Sequence, residues 1–212
     1  VTNNSPRKGI SSDDETGNSI SIANGDLEDI LISATESTGK RLEVIGMDAC
    51  IMGGWEIAHV SAPYGNYYVA SQDYEGWDGW NYEDTMADLV ANPGMRGDEL
   101  GESIALRFYE TGDLTQSTID LEKLEDFETA LNQVAQSMMD APEMSAYRQA
   151  VNRSYSYDGD WGVDRDALSV LLELSERSNS DSLKNASATA ATALGAAITS
   201  NYTNPEAVSG AN

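Results

Sequence analysis

Leu42-Glu43-Val44-Ile45-Gly46-Met47, followed without a break by Asp48-Ala49-Cys50, is the stretch on which the fold turns. Its apolar run reads as a buried β-strand, and the Ile51-Met52-Gly53-Gly54-Trp55-Glu56-Ile57-Ala58 that follows reads as a helix. Cys50 therefore falls where a strand hands over to a helix. In open α/β sheets ligands bind beyond the carboxyl ends of the strands. A thiol beside the first free N–H groups of a helix also has its thiolate stabilised, and the same groups can donate to an oxyanion. Two readings of Cys50 stand at this point, a small buried hydrophobe and a nucleophile.

Strands and helices alternate outward from this block. Residues 19–22 read as a short strand, and Asn24 caps a helix with Leu27, Ile30, Leu31 and Ala34 on its apolar face, ended by Gly39. Residues 67–71 read as a second long strand that runs into an acidic, aromatic loop, Gln72 to Tyr82 (QDYEGWDGWNY). Two helices follow, the second with Leu100, Ile104, Ala105 and Phe108 on one face. Residues 115–121 read as a strand leading into a long helix with Leu124, Phe127, Leu131, Val134 and Met138 at helical spacing. The remainder reads as three helices: residues 143–155, a segment from Asp164, and an alanine-rich one over 181–199. The alternation predicts an α/β fold with a mostly parallel sheet flanked by helices. Residues 1–18, polar and rich in Ser, Asn and Asp, read as a flexible leading segment, and 19–212 as one domain.

Composition narrows the function. A chain of 212 residues with 40% hydrophobic content can build a core without disulfides, and its single cysteine can form none internally. Thirty-six acidic residues against twelve basic ones give a net charge of −24. That field repels polyanions, so nucleic acid is not an expected partner, whereas cationic substrates are drawn in. No apolar run approaches the roughly 20 residues that span a bilayer, so no membrane partner is expected, and no signal-peptide pattern opens the chain. Beginning without methionine, it reads as a processed or trimmed product.

The residues around the cysteine carry a resemblance. Val44-Ile45-Gly46-Met47-Asp48-Ala49-Cys50 with Met52-Gly53 resembles the nucleophile block of the clostripain family of cysteine peptidases. The likeness continues through Val69-Ala70-Ser71, Asp78-Gly79-Trp80 with Tyr82, Asn92-Pro93-Gly94-Met95, Glu99-Leu100-Gly101 and Ser117-Thr118-Ile119-Asp120-Leu121. It covers about residues 19–140 well and the later helices in pattern only. It implies a caspase-like (caspase–hemoglobinase) three-layer sandwich, present in part and truncated at both ends. It also implies peptide-bond hydrolysis after Arg or Lys by a Cys-His dyad, and an extracellular or cell-envelope location.

On that resemblance Cys50 is the nucleophile, its backbone N–H helps hold the oxyanion, and Asp48, Ala49, Ser71, Asp78 and Trp80 line the substrate site. The two aspartates suit a cationic side chain, which cannot be buried unpaired without a cost of several kcal/mol. Asp48 also reads as a helix cap and Asp78 as a turn residue. The family's histidine, followed by glycine at the end of the preceding strand, has no counterpart. His59, the one histidine, lies on the outgoing helix more than ~10 Å along from Cys50 and reads as structural or surface. The implied partner is thus a histidine-bearing light chain or upstream segment, and Arg7-Lys8 fits a self-processing site or a solvated basic pair.

Two further features stay open. Tyr74, Trp77, Trp80 and Tyr82 suit stacking on sugars, so a non-catalytic pseudopeptidase or a carbohydrate- or peptide-binding module is the alternative function. Asp158, Asp160, Asp164 and Asp166 form a carboxylate cluster without EF-hand spacing, and Asp164 reads as an N-cap, so no cofactor is assigned and calcium is left uncommitted.

Overall fold

The computed structural model describes residues 9–12, 15–112, 115–157 and 164–204. Arg7, Lys8, Asp158 and Asp160 lie outside that set. Among the described residues the main sheet has four strands, β3 (Leu42–Met47), β4 (Gly65–Ala70), β5 (Thr115–Asp120) and β8 (Ile198–Thr203), side by side in that order. β3 and β4 pair in parallel, whereas β4 with β5 and β5 with β8 are antiparallel. The expectation of a mostly parallel sheet is corrected in its pairings: the sheet is mixed, with β5 reversed among three strands that point one way. β8 is an element the sequence reading missed. It begins at the residue after α8 (Asp181–Ala197), with no turn signal between them.

The strands alternate their side chains between two faces. Ile45, Met47, Tyr68, Ala70 and Ile119 join one core with Leu27 and Leu31 of α1 (Asp26–Thr38) and Ile57 and Ala58 of α2 (Trp55–Ser61). Leu124 and Phe127 of α5 (Leu124–Asp140), and Leu183, Ala190 and Leu194 of α8, complete that face, with α6 (Met144–Arg153) and α7 (Ala167–Arg177) packed outside. Full burial of each large apolar side chain here contributes about 1.5–3 kcal/mol. The opposite face is covered by α4 (Gly97–Glu110), which buries Ile104, Ala105 and Phe108 and bears on β4, β5 and β8. α3 (Tyr82–Ala91) is tied to α4 by a forked Asp88–Arg107 pair, both contacts 2.9 Å, with Ser103 Oγ donating to the same carboxylate at 2.8 Å.

Several local expectations shift. Within the stretch expected to be flexible, β1 (Gly9–Ser12) pairs antiparallel with β2 (Ser19–Ser21). α1 is entered through Gly25 at φ 88, so Asn24 is not its cap; Ser21 N–H donates to Asp26 Oδ2 at 2.7 Å and holds that corner. Ile30 is half exposed and not in the core. A small hairpin of β6 (Ser156–Tyr157) and β7 (Asp164–Arg165) precedes α7, whose cap is Asp166, accepting from Ser169 N–H at 2.6 Å, and not Asp164.

α4 can lie close to the sheet because Gly101 faces Thr118: a Cβ there would come within 2.5 Å of Thr118 Cγ2. Gly101→Val is expected to cost roughly 1–3 kcal/mol by forcing helix and strand apart. Urea unfolding measures it, and an unchanged midpoint contradicts this packing.

Candidate active site

Cys50 sits in a turn just past the carboxyl end of β3, and its thiol is exposed. The helix expected to begin directly after it begins instead at Trp55, so the N-terminus of α2 does not support the sulfur. The intervening residues run back, antiparallel, beside the chain that leaves β4. Ile51 N–H donates to Asp73 carbonyl oxygen at 2.9 Å, and Gly53 N–H to that of Ser71 at 2.6 Å. Gly53 permits this approach, since a Cβ would lie 2.8 Å from the Ser71 backbone. Ile51 is held at φ 60, a left-handed conformation that is costly for a β-branched residue and that the buried side chain and these bonds sustain. Below, the buried Tyr68 hydroxyl donates to Met52 carbonyl oxygen at 2.7 Å.

The support of the sulfur comes from the following loop. Glu75 N–H donates to Cys50 Sγ at 3.3 Å, and the thiol faces Glu75 carbonyl oxygen at 3.8 Å. That loop is anchored by Thr115 Oγ1, which accepts from Gln72 N–H at 3.1 Å and Asp73 N–H at 3.2 Å and bonds Ser71 Oγ at 2.8 Å. Ser71, expected to line the substrate site, is sealed from solvent with its hydroxyl committed to Thr115 and Asp73, and so acts on the site only by holding the backbone. Beside the turn a cleft of about 240 Å³ opens, lined in part by Gly53, Gly54, Gln72, Ser117 and Asp166.

Asp48 is exposed on the same edge, where its carboxylate accepts from Trp80 N–H at 3.2 Å and from the Tyr82 hydroxyl at 2.9 Å. Burial, with the Asp48 bond second, pushes the Tyr82 phenol up. The Trp80 ring lies on Gly46 of β3, where a Cβ would meet it at 2.7 Å. Its indole N–H points to Glu75 Oε1 at 3.4 Å. Trp80 therefore closes over this edge of β3, whereas Trp77 stands fully exposed, Tyr74 is exposed, and Asp78 lies in the exposed turn directly after Trp77. Ala49 is half-buried between Asp48 and Cys50.

Sequence reasoning passed over Glu75. Its carboxyl group turns inward beneath Trp80, and burial pushes it up to about 8, with neighbouring Asp48 adding to the shift and Trp80 and Gln116 opposing it. No signal in the sequence separates it from the other loop carboxylates, because burial of a loop residue is not periodic. His59 is turned away from this edge: its Nδ1 lies 2.6 Å from Glu128 Oε1 of α5 and its ring packs on Trp55. Asp166, engaged as the α7 cap, is raised by burial and belongs to no group of three or more His, Cys, Asp or Glu among the described residues that would hold a metal.

Comparison with known proteins matches residues 2–206 to the clostripain family. No curated protein matches. Among solved structures, a clostripain from Bacteroides thetaiotaomicron ATCC 29148, in complex with a peptide inhibitor, superposes with a TM-score of 0.61 at 15% identity over 82% of this chain and 73% of that one. An inactive zymogen C11 protease from Parabacteroides distasonis gives 0.62 at 17% over 85% of this chain and 48% of that one. A cysteine protease from B. fragilis gives 0.64 at 14% over 92% and 78%. The chain thus spans about half of the second relative and about three quarters of the others. At these identities the structures establish the caspase-like fold, and the match along nearly the whole sequence establishes the rest: the chain belongs to the clostripain family of cysteine peptidases.

Proposed function

We propose that this chain carries the nucleophile of a cysteine endopeptidase that hydrolyses peptide bonds after arginine or lysine, its histidine supplied by a segment outside these 212 residues. The carrying observation is an exposed thiol at the carboxyl end of β3 with an exposed carboxylate two residues before it on the same sheet edge. The thiolate attacks the scissile carbonyl carbon, and the Cys50 backbone N–H donates to the oxyanion. An imidazolium then protonates the leaving amine, and water hydrolyses the acyl-enzyme with imidazole as the base.

Two features support an external histidine. His59 is engaged by Glu128 on another element, and β3 ends the order of the described sheet, so a further strand added along it would finish beside Cys50. Asp48 receives the substrate's cation, with Asp78, Ala49 and Trp80 as neighbouring walls. The Arg7-Lys8 pair is the proposed processing site, and the parent protein is proposed to work outside the cell or in its envelope.

The test combines this chain with the histidine-bearing segment and assays peptides varied at the cleaved residue. Cys50→Ala is expected to abolish cleavage, and unchanged hydrolysis would remove the mechanism. Asp48→Asn is expected to lower kcat/KM for Arg and Lys peptides by roughly 10–100-fold, the ~1.5–3 kcal/mol of a charge-assisted bond, with little change in fold. An unaltered preference would take Asp48 out of the substrate site. His59→Ala is expected to leave the rate within about twofold; a large loss would reinstate it as catalytic.

A further inference from the structure

The Glu75 side chain has no part in the chemistry above, yet its carboxyl turns inward at the edge of the site. Its backbone N–H touches the nucleophile, and its side chain passes under the indole of Trp80. Oε1 faces Trp80 Nε1 at 3.4 Å and Gln116 Nε2 at 3.5 Å, both long for hydrogen bonds. Oε2 is sealed from solvent, and among the described residues no donor meets it. The charged and titratable groups of the described residues that face it are Asp48, Tyr82 and Tyr68, with the Cys50 thiol held by its backbone, and no described Lys, Arg or His side chain compensates it. A buried, ionised carboxylate without a cation is costly, and the cost falls away if the group is protonated or if a cation arrives.

We propose that Glu75 is a second specificity-determining carboxyl, lying behind Asp48, so that a guanidinium or ammonium group docking at Asp48 meets a further carboxyl that holds a proton when the site is empty. The inference rests on the basic-substrate reading of this site and names the residue that deepens it. The direction of the Glu75 shift, up to about 8 through burial first and Asp48 second, agrees with a proton held at neutral pH. When the cation docks, the proton leaves Glu75 for solvent and the cation faces two negative charges. Neutral side chains bring no charge to displace it, so Glu75 discriminates against them by remaining a neutral acid. Binding of a cation is then linked to proton release, and affinity gains up to tenfold per pH unit below the pKa of the empty site.

The linkage is measurable on this chain without the external histidine, because Cys50 reports occupancy. Iodoacetamide alkylation of Cys50, followed by intact mass, is run with increasing Nα-acetyl-argininamide and, separately, its neutral citrulline analogue, from pH 6 to 8. The reactivity of the thiol itself changes with pH but cancels, since protection is a ratio at each pH. The arginine compound is expected to protect, with a dissociation constant that tightens tenfold or more from pH 6 to 8, while citrulline gives little protection at any pH. In Glu75→Gln the arginine compound should bind more weakly at pH 8 and vary less than twofold across the range. If that variant retains the full pH dependence, the Glu75 assignment is overturned and the Asp48 reading stands. If arginine protects no better than citrulline in the unaltered chain, the basic-substrate reading fails and takes this one with it. Should Glu75→Gln not unfold cooperatively, Glu75→Asp decides: weaker protection with the pH dependence kept supports the proposal, and binding equal to the unaltered chain overturns it.

Discussion

The site depends on the backbone ladder that clamps the turn after Cys50 to the chain leaving β4. Two bonds, from Ile51 N–H to Asp73 and from Gly53 N–H to Ser71, make a short antiparallel pairing just beyond the parallel ladder of β3 and β4. They hold Ile51 at a positive φ and aim the preceding residue, Cys50, out of the sheet edge. Because Ser71 and Asp73 are themselves tied to Thr115 at the start of β5, Cys50 is located by three strands together. A strained turn of this kind persists only where its surroundings over-determine it, as Tyr68, Thr115 and Gly53 do here.

The same clamp explains why the reversed strand matters. β5 runs against β4, so its first residues stand level with the last residues of β4: Ala70 pairs with Ser117, and Thr115 and Gln116 lie beyond. Thr115 thereby reaches the loop backbone and Gln116 reaches Glu75. A parallel β5 would have brought its carboxyl end to this edge instead. The mixed sheet thus supplies polar side chains under the site, while the ion pair between Asp88 and Arg107 steadies α3, into which the loop runs.

Much of this was legible in the amino acids, and the remainder was hidden for physical reasons. β3, β4 and the long helices announce themselves by their apolar patterns, and the Cys50 block by its motif. The start of α2 was misjudged because Ile51 and Met52 look helical by composition, whereas Gly53 and the hydrogen bonds to Ser71 and Asp73 take them into the ladder. β8 was hidden in an alanine-rich helix whose last residue is followed at once by the strand, and its Ile-Thr-Ser-Asn-Tyr-Thr run is polar because it is the terminal strand. Ser71 and Glu75 show the limit most plainly. Ser71 was expected to line the substrate site and is sealed, whereas Glu75 drew no reading and turns its carboxyl inward; both outcomes are decided by tertiary contacts with Thr115, Trp80 and Gln116.

The account stands most directly on covalent capture of Cys50. The chain together with the proposed histidine-bearing segment is treated with a lysine-terminated peptidyl acyloxymethyl ketone, and the adduct is located by peptide mass spectrometry. The account predicts one adduct per chain, on Cys50, formed far faster than with the same peptide ending in a neutral residue. A protein that stays unlabelled, or carries the label anywhere else, contradicts it.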